Sequence, residues 1–431
     1  MLVLSFTTAV LVAAAVFYTG WDLLGARGLK LEHRVDSKTL FDLVKLSFGV
    51  VAGAGALVAL VVAYRRQRVD EDGALREATR LHTERFTTAV SQLGEESAAV
   101  RLGGVHALAG LADDAPTRAL RQTCIDVLCS YLRLPYTAEA DLPAGDAGAR
   151  HAYLALREVR HTVVRLLRNH LRLAPEHPHS WQGHDLDLTN VTFDGGDFSG
   201  AVFVGGTVSF GGATFADGTL SFNKAVFAGG TASFDRATFA GGTVSFGGAT
   251  FADGTVSFNW AEFAGGTASF DRATFASGTV SFNWAEFAGG TVLFSAAEFS
   301  GSTVDFRKAV FADGMVNFGG ATFAGGTVDF SGAAFCGSTV SFVTAEFSGG
   351  TVDFGSWAIN QFIAFRTDFS GGTVDFSGAE FAGGTVNFDG ATFSGGTVDF
   401  SGADGTAPSG LIPPTGSPLP TGLLLPSAWP I

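Results

Sequence analysis

Between positions 188 and 400 apolar and polar residues alternate on a fixed beat, and the residue that keeps the beat is phenylalanine. Phe210, Phe215, Phe222, Phe227, Phe234, Phe239, Phe246 and Phe251 are spaced alternately five and seven apart, giving a twelve-residue unit that reads V-S-F-x-x-A-x-F-A-G-G-T. Two residues before each ring stands another small or apolar residue, such as Val208, Ala213, Val244 or Ala249, and the positions between are polar. Alternation with period two predicts strands with one buried face. Each strand lasts about three residues before a Gly-rich corner such as residues 228–231. A unit this short cannot bury its own apolar face, so the pattern predicts stacked coils that hydrogen-bond to the coils above and below. The rings then form internal ladders, with Phe258 facing inward and Ser257 outward. Each buried ring contributes roughly 1.5–3 kcal/mol against the entropy of ordering the chain.

Upstream the period changes. Residues 2–18 and 40–64 are nearly uninterrupted apolar runs, each close to the roughly twenty residues that cross a bilayer. They predict a membrane anchor with two transmembrane helices over residues 1–68. The first run lacks the basic leading segment and cleavage site of a signal peptide. Arg65, Arg66 and Arg68 favour a cytoplasmic side after the second run, although Arg27, Lys30, Arg34, Lys38 and Lys45 lie between the two. Over residues 69–183 apolar positions recur at helical spacing, as in Leu75, Ala78, Leu81, Phe86, Val90 and Leu93, and predict an α-helical adaptor that covers the first coil. Residues 403–431, rich in Pro, Gly, Ser and Leu, read as a disordered tail or loose cap that cannot extend the ladder.

Leu188, Phe193, Phe198 and Phe203 keep a simple five-residue spacing, with Leu186, Val191, Gly196 and Ala201 two before each. This stretch resembles the pentapeptide-repeat proteins, whose units read A-x-[LF]-x-x. The resemblance implies a right-handed quadrilateral β-solenoid over residues 184–402 and makes the chain multidomain: anchor, helical segment, then an all-β rod. After Phe203 every second unit gains two residues, usually Gly-Thr, so that the family's twenty residues per coil become twenty-four. A two-sided solenoid with twelve residues per coil is the alternative. Internal duplications do not choose between them, since residues 259–263 recur twenty-four on at 283 whereas residues 235–239 recur thirty-six on at 271. The register slips over residues 357–365, where a bulge is expected. Residues 92–108 resemble the helical segment that precedes the repeats in membrane-attached members of this bacterial family, which implies a multi-pass membrane protein with a cytoplasmic solenoid.

Charge sharpens the picture. Residues 185–404 carry 22 Asp and Glu against 6 Lys and Arg, an excess of 16 negative charges, so with -14 overall the remainder carries about +2. Some pentapeptide-repeat proteins are thought to mimic DNA toward type II topoisomerases, and an acidic rod resembles them in this respect, though nucleic acid binding itself is not expected. Cys124, Cys129 and Cys336 make no disulfide framework. His170, His177, His179 and His184, with Glu176 among them, form no recognised metal spacing, because Pro175 and Pro178 make their segment a loop. Residues 371–376 resemble a calcium-binding β-roll unit but carry Val374 where the second glycine belongs, and no G-K-[ST] follows any glycine pair. A Thr-x-Ser row starting at Thr207 and Ser209 drifts to acid or amide at Asp305, Asn317, Asp329, Asp353, Asp375, Asn387 and Asp399, and reads as a solvated face. No catalytic, cofactor or metal site and no small-molecule substrate are expected. The expected function is a non-enzymatic, membrane-anchored scaffold that meets the bilayer through residues 2–18 and 40–64 and offers its solenoid to a protein partner. The alternative is a DNA-mimicking binder of a topoisomerase or another DNA-handling enzyme.

Overall fold

The computed structural model describes residues 36–360, 363–413 and 417–429, with scattered positions between 11 and 22. The first expected span, residues 2–18, falls almost wholly outside the described residues. The second lies in helix α1 (Ser37–Leu93), 57 residues long, about 85 Å at 1.5 Å per residue. Among the described residues α1 is the one helix long and apolar enough to cross a membrane, by length and composition. The expectation of two spans is therefore met by one described helix. Phe41, Phe48, Leu57, Leu60 and Val62 on it are all exposed. No proline interrupts residues 65–93, and α1 runs on past the boundary expected at residue 68. The chain divides into two compact units, residues 1–81 and 82–431.

In the second unit the end of α1 is joined by α2 (Ala98–Asp113), α3 (Arg118–Arg133) and α4 (Ala147–Leu171). Their shared core includes Leu93, Val105, Leu108, Ile125, Leu128, Val163 and Leu167. The helix starts follow from capping: Thr117 accepts from the Leu120 amide and Asp146 from the Ala149 amide, satisfying donors that a first turn leaves unpaired. Gly104 lets α2 meet α1, since a Cβ there would lie 2.9 Å from the Ala89 carbonyl oxygen.

From Leu186 onward the chain is a parallel β-solenoid. Phe239 pairs with Phe263 and Val256 with Val280, each 24 residues on, so a turn takes twenty-four residues and the twelve-residue coil is set aside. One turn contains four short strands, for example Thr207–Ser209, Thr214–Phe215, Thr219–Ser221 and Val226–Ala228. Two of the resulting strand rows are nine strands deep. Most of the Thr-x-Ser-type strands lead into a corner where an Ala amide donates to the Phe carbonyl three residues back, as Ala261 does to Phe258 at 3.1 Å. The residue before that Ala is left-handed at each such corner, the conformation that the third position of a type II turn requires. The Gly-Gly-Thr corners bring backbone onto backbone: Gly290 has φ +69°, and a Cβ there would lie 2.6 Å from the Gly265 carbonyl carbon.

The four strand rows aim four phenylalanine ladders inward. Phe234, Phe258 and Phe282 stack at 4.7 and 4.8 Å, and Phe246, Phe270 and Phe294 stack at 4.7 and 4.9 Å. These two ladders also meet edge to face, with Phe258 and Phe270 at 5.7 Å and 84°. Phe239 with Phe263, and Phe251 with Phe275, belong to the flanking ladders. Within the ladders each ring thus has stacked neighbours above and below, and those of the two middle ladders an edge contact besides, geometries worth about 0.5–1.5 kcal/mol per pair beyond burial.

Two expectations are corrected. The slip at residues 357–365 is not a simple bulge: Ser356–Asn360 and Ile363–Arg366 pair antiparallel as a hairpin inserted into one turn. The solenoid register survives it, because Val340 pairs with Val374, 34 residues on. Residues 403–431 are not a disordered tail over their described part. Leu423 pairs in parallel with Val398 and so extends the ladder, and Trp429 packs on Phe381 and Phe400 while its indole N–H donates to the Gly405 carbonyl at 2.9 Å. The Pro-rich segment closes over the last coil because it supplies two short strands, Asp404–Gly405 and Leu423–Leu424, and one large ring.

Ser257 is also not a free outward residue. It is 7% exposed and its hydroxyl donates to the Asp235 carboxylate of the preceding coil. Thr255, on the same strand, is exposed. Phe258→Ala is expected to cost about 3–5 kcal/mol by opening a cavity in two contacting ladders, Ser257→Ala about 1 kcal/mol, and Thr255→Ala nearly nothing. Urea unfolding of the three variants checks the order; equal midpoints for Phe258→Ala and Thr255→Ala would refute the inward assignment.

Candidate functional site

The densest polar cluster lies where α4 meets the first coil. Asp194 sits in the turn between strands Thr192–Phe193 and Gly196–Asp197 and is 4% exposed. Its carboxylate accepts from the Tyr136 hydroxyl at 2.5 Å, the Tyr153 hydroxyl at 2.7 Å and Arg157 Nε at 3.1 Å, and lies 3.1 Å from His161 Nε2. Tyr153, Arg157 and His161 are four residues apart in turn, so one face of α4 delivers all three. Burial alone would raise the Asp194 carboxyl, but hydrogen bonds from His161, Tyr136 and Tyr153 outweigh it and hold the group well below the usual carboxylate range. Burial, then Asp194, pushes the Tyr153 phenol up to about 12 and Tyr136 further in the same direction. Arg160 lies over the Tyr136 ring at 4.1 Å and donates to the Leu132 and Thr192 carbonyls, tying α3, α4 and the first coil together. A carboxylate so stabilised is a weak base, and phenols so raised are weak nucleophiles. The arrangement is built to hold the helical segment on the rod.

The fold gathers three of the four histidines near Asp113 and sets His184 apart. His170 stacks on Trp181 at 3.9 Å, and its Nε2 lies 3.2 Å from Asp113, which also accepts from the Trp181 indole. Burial works to raise Asp113, and the His170 hydrogen bond and charge, with His179, lower it on balance. His177 meets the edge of the His179 ring at 5.4 Å, and its Nδ1 accepts from the His179 backbone amide at 3.1 Å. His184 lies apart, with Nδ1 donating to Gln122 Oε1 at 2.9 Å, and burial followed by the charges of Arg118 and Arg121 holds it down to about 4. Glu176 joins none of these contacts. Among the described residues no group of three or more acidic, histidine or cysteine side chains stands ready to hold a metal ion. Cys124 and Cys129 are buried, with thiols pushed up to about 11 and about 12 mainly by desolvation, and Cys336 is exposed.

The Thr-x-Ser row divides into two rows, Thr207 with Thr231 and Thr255 in one and Thr219 with Thr243 and Thr267 in the other. Its drift to acid has a local cause. At several corners the first residue, Asn or Asp, accepts from the next coil: Asn259 Oδ1 takes the Ser281 hydroxyl at 2.5 Å and the Asn283 amide at 3.1 Å. At Arg307, Ser331, Gly355, Ser377 and Ser401 the strand residue two before is Asp and accepts from the corner amide, as Asp329 does from Ser331 and Asp353 from Gly355. Asp375 in the calcium-like segment does the same for the Ser377 amide, and Val374 there is buried.

These features define a class, a parallel β-solenoid repeat protein with an α-helical N-terminal segment. Compared with family models, with characterised proteins and with solved structures, the chain matches none.

Sequence reading drew attention to the histidines and passed over Asp194 with its three α4 donors. The signal was present in the spacing of Tyr153, Arg157 and His161 at i, i+4 and i+8, three polar groups on a helix expected to cover the first coil. Asp194→Asn should destabilise the junction by about 3 kcal/mol, because it strips the charge from four converging donors. Hydrogen exchange should show lost protection near residues 186–197 and unchanged protection near residue 280. His184 predicts a pH effect: unfolded, it binds a proton near pH 6.5, whereas folded it stays neutral down to about 4. Its contribution to stability is therefore constant above about pH 6.5 and falls as pH drops toward 4. Thermal melts of wild type and His184→Asn from pH 7 to 4.5 should converge as the pH falls; parallel curves would refute it.

Proposed function

We propose that the protein is a membrane-attached, non-enzymatic scaffold whose solenoid serves as a protein-interaction surface, held at the cytoplasmic face. The observation that carries this reading is the closed interior: four phenylalanine ladders fill the coil, so the repeated outer surface is what the rod offers a partner. The unburied apolar stretch of α1 over residues 40–64 supports attachment to a bilayer. Four strands per twenty-four-residue turn support the quadrilateral, pentapeptide-repeat form of the coil, with the Gly-Thr additions at two of its corners. The acid excess supports a basic partner, and because Asp305, Asp329 and Asp353 are committed to corner amides the rod's acid is not arrayed as a free charge surface like that of DNA.

Cell fractionation with protease accessibility, using tags at both termini, tests it. Recovery in membranes with the solenoid protected inside is the expected result. Recovery in the soluble fraction would overturn the anchor and put the DNA-mimic reading first, with topoisomerase inhibition as its assay.

A further inference from the structure

Trp260 and Trp284 occupy equivalent corners of successive coils, with φ of 60° and 58°. The left-handed conformation is unfavourable for a bulky side chain, and the same column carries Gly212 and Gly332 at positive φ. Burial does not compensate: the two indoles are 54% and 39% exposed and stack on each other at 4.9 Å and 3°. Lys308, next in the column, sets its ammonium 4.5 Å from the Trp284 ring centroid. The stack is thus already used for cation–π contact at one end, and at the other Trp260 carries the larger exposure. Two residues after each indole stands a glutamate. Glu262 and Glu286 pair in register on adjacent strands and are both exposed. Among the described residues neither forms an ion pair, although like charges directly opposite each other repel.

We propose that Trp260, Trp284, Glu262 and Glu286 form a docking strip for a Lys/Arg-rich segment of a partner protein. One basic side chain stacks on the Trp260 indole, and its neighbour lies between the paired carboxylates. Charge complementarity with a rod bearing 22 acidic and 6 basic residues over positions 185–404 selects this occupant. Arg236 and Lys308 bracket the strip along the column and set its length. The inference rests on the interaction-surface reading above and gives the partner its chemistry.

The test uses the full-length protein and a fluorescently labelled hexa-arginine peptide, followed by anisotropy at near-physiological salt. Saturable binding is expected, weakened about fivefold or more in Trp260→Gly/Trp284→Gly at unchanged net charge, and weakened likewise in Glu262→Gln/Glu286→Gln. The Gly variant adopts the residue that Gly212 and Gly332 already place in this column, and its melting temperature verifies folding. Undiminished binding by the folded Gly variant would overturn the proposal by reducing the interaction to the rod's general charge, and so would the absence of saturable binding. Binding of a neutral β-glucan in place of the peptide, lost with the indoles, would also overturn it and assign the strip to sugar stacking. None of these results bears on membrane attachment, which fractionation decides separately.

Discussion

The structure depends on phenylalanine stacking at the spacing of parallel strands. Adjacent strands stand about 4.7–4.9 Å apart, and the rings of Phe282, Phe306 and Phe330 stack at 4.7 Å. Backbone pairing and ring stacking therefore demand one and the same rise per coil. This coincidence explains why a unit with strands of two or three residues is sufficient. A strand so short contributes few ladder hydrogen bonds, and the ring beside it fixes the register that those bonds alone would leave free to slip. It also explains how the chain absorbs a hairpin between Phe354 and Phe369 without losing the ladders: Phe335 still stacks on Phe369 at 4.9 Å and Phe354 on Phe388 at 4.8 Å. The extra residues leave the coil at a corner, where no ring is displaced.

Outside the coil the limiting demand is the corner amide. Each corner exposes N–H groups that the ladder cannot pair, and the chain satisfies them with a side-chain oxygen placed either on the strand or on the corner residue of the preceding coil. Asn259 and Asp329 represent the two solutions. Charge on the rod is in large part a by-product of this choice, since an Asp at the strand position caps its own corner. Glu262 and Glu286 stand outside the rule, as they cap nothing, and this separates surface required by the fold from surface free for recognition.

Much of the fold was legible because the signal is periodic. The inward positions of Phe210 through Phe400 and the strand lengths follow from spacing alone. The turn length did not, because both twelve and twenty-four satisfy the same period, and only the pairing of Phe239 with Phe263 separates them. Ser257 was misread for a related reason: alternation assigns a residue to the outer face but is blind to a neighbour twenty-two residues earlier, the separation of Ser257 from Asp235. The closing segment was misjudged by composition, since proline and glycine disfavour a ladder in general but say nothing of the short strands at Asp404 and Leu423. At the junction, Asp194 carries no motif; its meaning lies in four partners from the segments that cover it.

Both ends of the rod are closed, and by different physics. At the start, Arg160, Arg133 and Arg168 reach from the helices to Thr192, Asp187 and Asp197, so the first coil's open edge meets charged donors. At the far end, an indole covers the last rings and two short strands cover the last backbone groups. An uncovered parallel edge recruits other chains, and a rod of identical coils would be especially prone to this because every coil is complementary to every other. The polar junction at one end and the aromatic plug at the other break that self-complementarity. What the rod leaves open is therefore its side, where the departures from the repeat, the inserted hairpin and the indole column, are found.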